Sequence, residues 1–211
     1  MAINRTHISA LKKRATNGDI DAQYKLGVFY ADGLKVRRNY KIAFHWFRLA
    51  ALKGHRDSQC DYGYLCRYGR GTIKNQKLGF KWILKAARRG NVKAQFIVGV
   101  CYSFGEGVKQ NRRLAFDWYL RAARKGLVVA QYNVGFVYEH GRGIKQNYKA
   151  AVKWYRRAVK GGDDTAMLNL GNFYFDGSGV KRSLRRANAL YRSSAKLGNR
   201  MAKHYLGLGN E

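Results

Sequence analysis

The sequence predicts an all-α solenoid of about five helical hairpins, and three observations predict it. Glycine recurs at Gly18, Gly54, Gly90, Gly126, Gly162 and Gly198, each 36 residues from the last, and self-similarity at such a period marks a repeat architecture. Proline is absent from all 211 residues, as suits regular helices joined by short connections. A composition 46% hydrophobic and 14% aromatic is that of a chain able to bury a core.

The elements follow in order. Residues 1–17 read as a lone second helix that caps the front of the stack. Each repeat then opens with a first helix such as Ala22 to Tyr30, apolar at helical spacing. Inside it stands a second glycine, at Gly27, Gly63, Gly99, Gly135, Gly171 and Gly207, whose missing side chain lets a neighbouring helix approach and so offsets a helix propensity about 1 kcal/mol poorer than alanine's. A third glycine, at Gly33, Gly69, Gly105, Gly141 and Gly177, begins the loop. After the loop, Asn39, Asn75, Asn111, Asn147 and Ser183 stand where an N-cap is expected.

The second helix carries Trp46, Trp82, Trp118 or Trp154, followed four residues later by alanine, a bulky and a small residue on one face. The first glycine of the next repeat then ends that helix as its C-cap. Each hairpin is too small to bury its own apolar face, so stability must come from its neighbours.

The pattern A-Q-Y/F-x-V/L-G-x-x-Y, then G-x-G-V-K-x-N, then A-x-x-W-Y-x-R-A-A-x-x-G resembles the Sel-1-like repeat family, relatives of tetratricopeptide repeats. It spans 18–53, 54–89, 90–125, 126–161 and 162–197, with a partial repeat over 198–211. The resemblance implies a right-handed superhelix of antiparallel helix pairs and an adaptor role. By the tetratricopeptide analogy, second helices form the convex side. Two departures stand out: Lys35 replaces the second loop glycine of later repeats, so that loop is expected to differ, and Asn39, Asn75, Asn111 and Asn147 stand where the family often carries Asp. Cys60, Cys66 and Cys101 miss the within-repeat pairing of disulfide-rich secreted members and read as free thiols, Cys101 as a packing residue.

The formal net charge is +30, and it is unevenly placed. About half of the 42 Lys and Arg fall in second-helix segments, whereas first helices are nearly neutral and hold most of the acids, Glu211 among them. Spacings of three and four make stripes of Lys77, Lys81, Lys85 and Arg88, of Arg113, Arg121 and Arg124, and of Lys149, Lys153, Arg156 and Arg157, expected opposite the Trp and Ala faces. Arg112, Arg113, Arg185 and Arg186 lie in first turns, where the helix dipole disfavours cations. These stripes are the candidate polyanion-binding residues.

By the same analogy the candidate partner groove lies on the first helices, at Tyr24, Tyr64, Phe96, Tyr132 and Phe136, with Asn133, Asn169 and Asn172 to hold a ligand's backbone amides. The lining reads as aromatic and nearly uncharged, and seventh-position aromatics packing between hairpins is the competing reading.

Catalytic chemistry is not expected. His7, His45, His55, His140 and His204 have no metal-ligand spacing, and the loops GRGTIKN, GEGVKQN and GRGIKQN lack the phosphate-loop spacing, so no metal and no cofactor is called for. The leading reading is a monomeric, non-enzymatic protein-interaction scaffold for a peptide or an acidic protein. The alternative is a nucleic-acid-binding protein using the basic face, and docking on a membrane is disfavoured. With no signal peptide or membrane span in the sequence, a cytoplasmic location is expected, and export as an effector stays open.

Overall fold

The structure, a computed structural model, describes residues 2–208, with side chains from residue 8 onward; the His7 side chain and Glu211 lie outside the described residues. Helix makes up 72% of the chain, and the described residues contain no strand. The chain forms two compact units, Met1–Gln110 and Asn111–Glu211.

The first unit holds α1 (Ala2–Thr16), α2 (Ile20–Asp32), α3 (Tyr40–Leu52), α4 (Arg56–Tyr68), α5 (Gln76–Arg88) and α6 (Val92–Phe104). The second holds α7 (Arg112–Arg124), α8 (Val128–His140), α9 (Tyr148–Lys160), α10 (Asp164–Asp176), α11 (Leu184–Lys196) and the short α12 (Arg200–Tyr205). Within each unit, consecutive helices pack on one another.

The caps follow the sequence. The Asn39, Asn75, Asn111 and Asn147 side chains each accept a backbone N–H of the first turn, as at Asn147 Oδ1 from Ala150 N at 2.9 Å, and Ser183 does the same for α11. At the other end of the loop, Gly33, Gly69, Gly105, Gly141 and Gly177 adopt the left-handed conformation and close the first helices.

The in-helix glycine does what its position predicts. A Cβ at Gly135 would stand 2.7 Å from the Tyr155 ring, so α8 and α9 approach at a distance only glycine permits. The same seam joins Gly27 to Phe47, Gly63 to Ile83 and Gly171 to Tyr191. Gly207 is the exception: it follows α12 at φ +67 rather than standing inside a helix.

Two expectations need correction. The most buried anchor of the second helix is the residue after tryptophan, or after Leu190 in the last repeat: Phe47, Ile83, Tyr119, Tyr155 and Tyr191 are 6% exposed or less, while Trp118 is buried at 9% and Trp46, Trp82 and Trp154 are only half-buried. The reason is angular, since a residue lying directly over a neighbour's missing Cβ fills the gap and the next position points to its edge. The first loop also does not differ in backbone. Lys35 takes φ +60, the left-handed conformation that Gly71, Gly107, Gly143 and Gly179 take in later loops. Glycine is required at those later positions because a Cβ would strike the start of the preceding second helix, as at Gly143, where the Arg112 carbonyl carbon would lie 2.8 Å away.

A joint that the sequence left unassigned is the Gln of the Ala-Gln pair. Gln23, Gln59, Gln95 and Gln131 each donate their side-chain N–H to the carbonyl of Ala15, Ala51, Ala87 and Ala123, at 3.0 to 3.3 Å, tying a first helix to the end of the helix before it.

Candidate functional site

Two faces carry candidate residues. On the first-helix face, Tyr24, Tyr64 and Phe96 in the first unit and Tyr132, Asn133, Phe136, Asn169 and Asn172 in the second are all half-buried. They are therefore neither consumed by the core nor fully free.

In the first unit a cleft of about 260 Å³ brings Tyr24 and Tyr64 together with Tyr40, Asp61, Arg70 and Lys93. Arg70 lies 5.4 Å from the Tyr40 and Tyr64 ring centres, and the Lys93 ammonium lies 5.8 Å from Tyr64. Lys93 also pairs with Asp61 at 3.2 Å. Burial pushes the Asp61 carboxyl up, and Lys93 only partly offsets it. Tyr24 stacks at 4.5 Å on His55, the N-cap of α4.

In the second unit Tyr132 lies 5.8 Å from Tyr155 and 6.3 Å from Phe136, while Arg142 covers Phe136 at 4.7 Å. Asn133 donates to the Val129 carbonyl at 2.7 Å, Asn169 donates to the Tyr155 hydroxyl at 3.2 Å, and Asn172 accepts from the Tyr191 hydroxyl at 2.8 Å. The Tyr155 hydroxyl donates to Glu139; burial and that bond raise its pKa.

This differs from the sequence expectation in two respects. The lining is not nearly uncharged, because loop cations such as Arg70 and Arg142 fold back over the aromatic faces, where the ring quadrupole holds them. Each asparagine amide also already serves the fold at one of its two ends.

On the second-helix face every candidate cation is solvent-exposed: Lys77, Lys81, Lys85 and Arg88 in the first unit, and Arg113, Arg121, Arg124, Lys149, Lys153, Arg156 and Arg157 in the second. Of these, Arg113 meets a carboxylate, Asp117, at 3.5 Å. The stripes do not stand opposite tryptophan, as the spacing suggested. Lys85 lies 5.1 Å from the Trp82 ring, Arg121 4.5 Å from Trp118 and Arg157 4.4 Å from Trp154. Each pair is three residues apart, so cation and indole share one helix edge.

The thiols are buried and free, and burial raises Cys60 to about 12 and Cys101 to about 11. Among the described residues no group of His, Cys, Asp or Glu could hold a metal ion, and no helix is long and apolar enough to cross a membrane.

The model of the Sel1 repeat matches residues 20–55, 56–91, 92–127, 128–163 and 164–199, a frame that opens on the first residue of α2, α4, α6, α8 and α10. The chain belongs to the Sel1 repeat family. Among solved Sel1 repeat structures, it resembles a protective antigen present in uropathogenic Escherichia coli strains, with 32% identity and a TM-score of 0.89 over 94% of this chain and 42% of that one. A Sel1 repeat protein from Oxalobacter formigenes is 27% identical, with a TM-score of 0.87 over 95% of this chain and 58% of that one. This chain therefore spans about half the length of either. A putative Sel1 repeat protein from Klebsiella pneumoniae shares the fold at 18% identity and a TM-score of 0.60, over 94% of this chain and 96% of that one. No curated protein matches the chain. Sel1 repeat proteins generally serve as protein-interaction scaffolds.

Proposed function

We propose that this chain is a non-enzymatic scaffold whose first-helix face binds a protein partner, through Tyr24, Tyr64 and Phe96 in the first unit and Tyr132 and Phe136 in the second. One observation carries the reading: these aromatics stay half-exposed although the positions beside them are fully buried, as Val134 and Gly135 are beside Phe136. Half-exposed rings overlaid by exposed cations suit a partner that offers apolar and acidic side chains together, because carboxylates can meet Arg70 and Arg142 while apolar groups meet the rings beneath. The test is the Tyr64→Ala, Phe136→Ala double variant. It should lose a captured protein partner while keeping its helicity and melting temperature. Loss of folding would make these rings packing residues, and retention of the partner would end the reading.

A second reading is supported by the cation-indole edges of α5, α7 and α9, which give the exposed basic residues flat apolar surfaces beside them. The second-helix face would then bind a polyanion, with affinity falling steeply as salt rises. Charge reversal at Lys81, Lys85, Lys153 and Arg157 should weaken binding to RNA, DNA and heparin. Unchanged binding, or binding indifferent to salt, would make the charge incidental.

A further inference from the structure

One place on the second-helix face of the second unit is built differently from the stripes around it. Arg156 of α9 and Arg186 of α11 converge on the hydroxyl of Tyr174 of α10, donating to it at 2.8 Å and 3.4 Å. Both guanidinium carbons also lie near the tyrosine ring, at 5.9 Å and 5.4 Å. Tyr174 is only 6% exposed, whereas both arginines are solvent-exposed.

The charge around this hydroxyl is unbalanced. Neither arginine has a carboxylate partner among the described residues, so two cations share one neutral oxygen. The Tyr174 proton has no acceptor among the described residues, because the hydroxyl oxygen accepts in both of its bonds. Burial pushes the Tyr174 pKa up, but the two arginines outweigh it and leave it lowered, the sense expected where negative charge is favoured.

Neither arginine is a requirement of the repeat. The position of Arg156 is Leu84 and Leu120 in the second and third repeats and Arg48 and Arg192 in the first and fifth, and that of Arg186 is Ile42, Leu78, Leu114 and Ala150 in the four repeats before it. Arg186 stands where every other full repeat carries an apolar residue, and it meets Arg156 at one atom, on three successive helices.

We propose that Arg156, Arg186 and the Tyr174 hydroxyl form a binding site for a phosphate monoester dianion. The two guanidiniums match its two charges, their N–H groups supply paired donors to its oxygens, and the phenol donates a third hydrogen bond. The proposal rests on the reading of the second-helix face as anion-binding and narrows it to one place and one ligand chemistry.

The probes are phenyl phosphate and, as a monoanionic diester, dimethyl phosphate, titrated calorimetrically into the whole chain at low salt and pH 7.5. The variants are Arg156→Leu with Arg186→Leu, which restores residues that other repeats carry, and Lys149→Gln with Lys153→Gln, which removes the same charge from α9. Phenyl phosphate should bind in the millimolar range or tighter, and the arginine pair should weaken it by about tenfold or more, the scale of a lost charge-assisted hydrogen bond. The lysine pair should change it less than about twofold, as expected of screened surface charge, and dimethyl phosphate should bind more weakly than the monoester. A phosphotyrosine peptide binding more tightly than the free ester places the ligand on a protein, and equal binding assigns it to small phosphate esters. Equal losses in the two paired variants, full binding by the arginine variant, or a diester binding as well as the monoester would each overturn the site. Heparin binding, measured alongside, separates failure of this site from failure of the whole face, since only the latter abolishes both.

Discussion

Trp154 and Tyr155 are neighbours in α9, yet they belong to different regions of the molecule. Tyr155 lies in the seam, fully buried over Gly135, with its hydroxyl held between Glu139 and Asn169. Trp154 lies on the rim, half-buried beneath the Arg157 guanidinium. The seam pairs a large ring with an absent side chain, so its geometry admits little else. The rim pairs a half-buried ring with an exposed cation, a geometry that many residues could fill. Stability and surface recognition are thus separated by one residue step along a helix.

The largest test of that contrast is truncation. Tyr155→Ala should cost about 3–5 kcal/mol in urea unfolding, the range for a buried aromatic, and more because Glu139 loses its partner. Trp154→Ala should cost about 1–2 kcal/mol, in proportion to its smaller buried apolar area. Equal losses would erase the distinction. From the opposite side of the seam, Gly135→Ala should destabilise by about 1–3 kcal/mol through overpacking against the Tyr155 ring, despite alanine's better helix propensity. A stabilised variant would mean that the ring yields and the close approach is not required.

Smaller effects sharpen the outer region. Asn147→Ala removes the cap bond to Ala150 and should cost about 1 kcal/mol, visible as a lower melting temperature without loss of helical signal at low temperature. Arg157→Ala should cost about 0.5 kcal/mol, the scale of an exposed cation-π contact, and a loss as large as that of Trp154→Ala would place the arginine in the core. Both should leave the seam intact, as judged by unchanged protection of Tyr155 from solvent.

Much of the fold was legible because glycine and asparagine report backbone geometry directly. Gly141 and Asn147 each do a job that few other residues can do, so a fixed interval between them fixes helix ends. The choice between Trp154 and Tyr155 was not legible. Adjacent aromatics differ by one step of helix rotation, and only the partner helix decides which of them faces Gly135. The cation stripes were legible as exposed positions but not as neighbours of tryptophan, since a spacing of three joins a cation to another cation as readily as to an indole. The loop arginines over Tyr64 and Phe136 were not legible, because only the turn of the loop brings them back over rings that lie on the helix before it. Arg186 was singled out for its first-turn position, and its convergence with Arg156 depends on a third helix that brings Tyr174 between them.

The glutamine joints have a further consequence, for the order in which the molecule comes apart. Gln23, Gln59, Gln95 and Gln131 each latch a first helix to the carbonyl end of the helix before it, but the same place in α10 holds Met167, which cannot donate such a bond. In a nearest-neighbour array, one missing latch lowers the cost of opening there alone. Amide protons of α10 and α11 should therefore exchange ahead of those of α8 and α9, giving the second unit a direction of unravelling that begins at its C-terminal hairpin.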